Sequence, residues 1–128
     1  MDDEYDYDAD VSEMRLIAMD ACARLRHFHS VRLRNLYKEI IATHCAKKGQ
    51  YRDMSVYLDV GDRVHEVDDV IKCATQQIME REHAEFAKST HDVLTYRCMI
   101  DRMVHDAIKF AESKIADIIA YYPIQSQS

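Results

Sequence analysis

Glycine and proline are nearly missing from this chain: two Gly and one Pro in 128 residues. The turns and bulges of an all-β fold draw on those residues, so the deficit points to few, long elements. Tryptophan is absent altogether, and no run of about 18 apolar residues is present, so no membrane span is expected. The first ten residues are acidic where a secretory signal is basic and then apolar. The four cysteines, Cys22, Cys45, Cys73 and Cys98, form no CxxC pair. They read as reduced residues of an intracellular protein, cytoplasmic or nuclear. GxGxxG, GxSxG and P-loop patterns are also missing, and no nucleophile signature stands out. An enzyme is therefore not expected.

What is present is helical periodicity and uneven charge. Residues 1–10 carry six acids and no base; residues 11–52 carry nine Lys/Arg against three acids; residues 53–128 carry fourteen acids against eight bases. The segments thus sum to −6, +6 and −6, which reproduces the overall −6. A basic helical segment lies between an acidic tail and an acidic remainder.

The pattern predicts an all-α fold: an elongated three-helix bundle, or a helical hairpin, with coiled-coil-like packing. Residues 1–10 are expected to be a disordered acidic tail, 11–122 a single helical domain and 123–128 a second disordered tail. The helices are expected at about 12–48, 62–88 and 90–122. Asp10 or Ser12 caps the first, and Lys47, Lys48 and Gly49 end it. Unbroken, that helix would be about 55 Å long, against about 36 Å across for a sphere of this chain. Either the molecule is elongated or the helix breaks near His29–Ser30, and elongation is the expectation here. Val60, Val64, Val67, Ile71, Ala74 and Ile78 form the seam of the second helix. Ser89 is expected to cap the third, and Pro123 to end it.

Two surfaces stand out as candidates. On the third helix Tyr96, Met103 and Phe110 recur every seven residues, extended by Tyr121, in the residue types that interface cores favour. This ridge is the expected partner-binding face. On the first helix Arg24, His27, Arg34 and Lys38 share one stripe of an ideal wheel. That stripe suits pairing with the acidic helices or an acidic partner, or alternatively the phosphates of nucleic acid. No cofactor or metal is expected. Glu80-x-x-His83 is half of a di-iron pattern with no second half. In His65-Glu66-Val67-Asp68-Asp69, Asp69 stands where a zincin helix needs its second His. The reading that emerges is a non-enzymatic helical subunit or adaptor. It would act through helix docking, with homo- or hetero-oligomeric protein partners.

Overall fold

The computed structural model of the protein describes residues 7–44 and 54–124. Its elements are α1 (Tyr7–His27), a π-helical segment (Phe28–Leu33), α2 (Arg34–His44), α3 (Met54–Phe86) and α4 (Val93–Tyr121). All are helices, and no strand occurs among the described residues. The fold class read from the sequence is thus all-α. None of these helices is long and apolar enough to cross a membrane.

The first rod does not break near His29–Ser30. His27 and Arg34, on either side of the π segment, both keep ordinary right-handed helical angles (φ −62°, ψ −45° and φ −64°, ψ −42°). The cause of the π segment lies in the spacing of the apolar residues. Met14, Ile17, Ala18, Ala21, Leu25 and Phe28 are buried at steps of one, three and four, and Leu33, Leu36 and Ile40 resume that pattern. Between Phe28 and Leu33 the step is five. Five residues of α-helix rotate a side chain about 140° off its face. A wider turn with i→i+5 bonding takes up the extra residue and brings Leu33 back to the core. Ser30 assists, donating its hydroxyl to the Arg26 carbonyl at 2.7 Å, a back-bond that bends helices.

Each of the three rods packs on the other two. The first runs antiparallel to α3, with Arg15 near Glu82 and His29 near Asp68. It runs parallel to α4, where Glu13, Arg24 and Arg32 meet Arg97, Asp101 and Glu112 in the same order. At ~1.5 Å per residue α3 alone is about 50 Å long. Side-by-side rods of this length give an elongated packing, with one continuous core from Met14 to Ile124.

Several boundaries differ from expectation. α1 begins at Tyr7, inside the span read as a tail, with Asp8 and Asp10 in its first turn; acids there are favoured by the helix dipole. α3 begins at Met54 rather than near 62 and passes straight through Gly61. α4 is capped by Asp92, not Ser89: its carboxylate accepts from the Thr95 backbone N–H at 3.0 Å. Ile124, assigned to the C-terminal tail, is buried in the core. The expected stop at Lys47, Lys48 and Gly49, the residues before Tyr7 and those after Ile124 lie outside the described residues.

Candidate functional site

The ridge on α4 is not one surface. Asp92 caps the start of α4, and one turn into that helix Tyr96 points inward with 1% of its surface exposed. Burial pushes its phenol up to about 12, helped by Glu82 and Glu85. Tyr96 is therefore a core residue rather than part of an open docking face. Met103 is half-buried. Phe110 and Tyr121 do face outward, at 55% and 63% exposure. Lys114 holds its ammonium 5.4 Å from the centre of the Phe110 ring. Arg63 stacks its guanidinium 4.2 Å over Tyr121.

Met103 instead belongs to a groove between α3 and α4. Two adjoining depressions, about 620 and 410 Å³, share Gln77 and Met103. Ala74, Ala84 and Ala107 lie among their lining residues, with Phe110 at one end. Small residues let another backbone approach closely. The α3 wall is hard to read from sequence because it flanks the more strongly apolar core seam of the same helix. Its signal was present: Val70, Ala74, Gln77, Arg81 and Ala84 step by four and three. Met99, Met103, Asp106 and Phe110 do the same on α4. Every one of these nine residues lines the groove.

The basic stripe is split by the π segment. The extra residue rotates everything after it by roughly 100° relative to an ideal α-helical wheel. Arg24 and His27 border a recess with Ile108 of α4. Arg34 borders another with Tyr37 and Val64 on the α3 side. Lys38 is exposed farther along α2. Arg24 is also engaged by Asp20 at 3.1 Å and Asp101 at 2.8 Å. Arg32 donates Nε and Nη2 to the Glu112 carboxylate. Arg15, Arg24 and Arg32 of the first rod thus face Glu82, Asp101 and Glu112 of the other two.

A third cluster joins the chain ends of the rods. Tyr122 donates its hydroxyl to Asp59 Oδ2 at 2.5 Å, and Arg63 Nε donates to the same oxygen at 2.8 Å. These two bonds hold the Asp59 carboxyl below its usual range. The shared bond pushes the Tyr122 phenol up to about 12. His44 Nε2 lies 2.8 Å from the Pro123 carbonyl, and its ring meets Tyr122 edge-on. The cluster ties α2, α3 and the end of α4 together, and its residues are engaged with one another.

Glu80 accepts from Gln76 at 3.4 Å, and His83 is exposed one turn on. Burial raises the Cys22 thiol, the opposite of what a nucleophile needs. Among the described residues, His65, Asp68 and Asp69 form one group whose ligand atoms all lie within 4.8 Å of one another. Comparison of the chain with protein-family models, curated proteins and solved structures finds no match.

Proposed function

We propose that this protein is a helix-docking subunit that acts without catalysis, and that the α3/α4 groove is its docking surface. One observation carries the reading. Both walls of the groove repeat at steps of three and four residues, the spacing of coiled-coil-like knobs-into-holes packing. The ridges of another α-helix, which repeat at the same steps, can seat in such a groove. Its rim carries both signs, with Glu80 beside Arg81 and Asp106 opposite. In a two-fold contact residue i meets j while j meets i, so a mixed rim suits a second copy of this chain. The phosphate-tracking alternative has less support, because Arg24 is paired with acids and Arg34 faces another side of the rod.

Sedimentation of the full-length protein across micromolar concentrations tests the proposal. The unmodified chain should associate to a dimer. Met103→Asp combined with Phe110→Asp should be monomeric with an unchanged far-UV helical spectrum. A monomer at all concentrations overturns the reading. So does a double variant that dimerises equally well, or one that unfolds and so marks the groove as core.

A further inference from the structure

The face of α3 that meets the π segment carries an arrangement suited to a metal cation. His65, Asp68 and Asp69 stand at positions i, i+3 and i+4, on neighbouring turns of one helical face. His65 Nε2 is 3.6 Å from Asp69 Oδ1, beyond hydrogen-bonding reach. Two donors that share a cation at about 2.1 Å sit roughly 3.0–3.4 Å apart in octahedral or tetrahedral geometry. The three ligand atoms, within 4.8 Å of one another, therefore need only small side-chain rotations to converge.

A second element fixes the third donor. His29, delivered by the π segment, places Nε2 2.8 Å from Asp68 Oδ1. That contact positions the carboxylate as the outer partners of metal ligands do. A cation already sits on the other oxygen: the Lys72 ammonium lies 2.9 Å from Asp68 Oδ2. Lys72 is itself largely exposed and free to swing into solvent. Asp68 is thus a carboxylate held in place from one side and loosely neutralised from the other.

We propose that His65, Asp68 and Asp69 bind a first-row divalent transition ion, with water completing its coordination. His29 serves as a positioning residue, and Lys72 stands in for the ion when none is bound. One imidazole nitrogen and two carboxylate oxygens select zinc, cobalt or nickel over calcium and magnesium, which prefer all-oxygen shells. The sequence lacks the second histidine of a two-histidine zinc helix, and a carboxylate, Asp69, stands in that position. The contribution of His29 depends on the π segment, which places it on Asp68.

Cobalt(II) titration of the reduced full-length protein, followed by paramagnetic effects on amide NMR signals, tests this. The first signals affected should be those of residues 65–69 and His29. His65→Ala and Asp69→Asn should each weaken binding by about tenfold or more, with helical content unchanged. Lys72→Met should tighten it severalfold, since it removes the competing ammonium. Zinc should displace the cobalt. Effects centred elsewhere overturn the proposal, as do ligand variants within twofold of the parent. A Lys72→Met variant that binds no better removes the stand-in role and counts against the site.

Discussion

At the scale of single residues, two tyrosines govern how the protein should respond to alkali. Tyr96 is buried, and its hydroxyl finds no hydrogen-bond partner among the described residues. Tyr122 is bonded to Asp59. Both phenols are raised to about 12, the first chiefly by burial and the second chiefly by that bond. An unfolded tyrosine ionises near 10. From about pH 10 upward the unfolded chain therefore holds fewer protons than the native one, and stability falls until pH passes about 12. Urea midpoints measured at pH 8 to 12 should show this loss. Tyr96→Phe should flatten it, while raising stability near neutral pH by up to about 1 kcal/mol, since an unpaired buried hydroxyl is removed and the ring is kept. If Tyr96→Phe instead costs several kcal/mol, the hydroxyl has a partner and the account of Tyr96 fails.

At the scale of elements, the five-residue step from Phe28 to Leu33 makes a prediction opposite to intuition. Deleting Ser30 shortens that step to four, the spacing an α-helix accepts, and leaves Leu33, Leu36 and Ile40 facing the core. The variant should fold with stability within about 1 kcal/mol of the parent, because the deleted side chain is exposed and the core residues on either side keep their face. Deleting Ala23, which is also exposed, should rotate the rest of the rod by about 100° and cost several kcal/mol. Thermal unfolding of the two deletions separates the cases, and equal losses would show that the π segment does not absorb a residue. The same spacing explains what was legible beforehand. Regular steps of three and four identified all three rods and most of the core, including Val60 and Ile78. The π segment was not read because an extra residue looks like mild irregularity in a long apolar pattern. The early start of α3 was hidden by Gly61, which is a weak helix former yet holds a helical position where an added Cβ would meet nothing within 4 Å. The Val56–Val60–Val64 step already ran across it. The candidate surfaces were half legible: Met103 and Phe110 came from periodicity on α4, whereas the α3 wall and the site around His65 need the relation between rods, which no single helical wheel contains.

For the whole molecule, the uneven charge of the sequence becomes a packing rule. The basic first rod lies against two rods from the acidic remainder, and pairs such as Arg15–Glu82, Arg24–Asp101 and Arg32–Glu112 cross both interfaces. Each is at least partly exposed and contributes little alone; exposed pairs are typically worth about 0.2–1 kcal/mol. Their collective effect is on register, because a shift of one rod along another would bring unlike pairs out of step. Arg32–Glu112 is the clearest test, with Arg32 reaching both carboxylate oxygens at 3.0 and 3.1 Å. Glu112→Arg should destabilise by about 1 kcal/mol or more, since two guanidiniums would then face each other. Adding Arg32→Glu should recover most of that loss, because the reversed pair meets the same geometry. About 1 M salt should shrink the difference between single and double variants, the Debye length there being roughly 3 Å. If the double variant is no more stable than Glu112→Arg alone, the two side chains are not coupled and register rests on the apolar seam alone. If it is rescued, the positive charge of the first rod is accounted for by the fold at this point of the rod, and outward-facing cations such as Lys38 remain for contact with a partner.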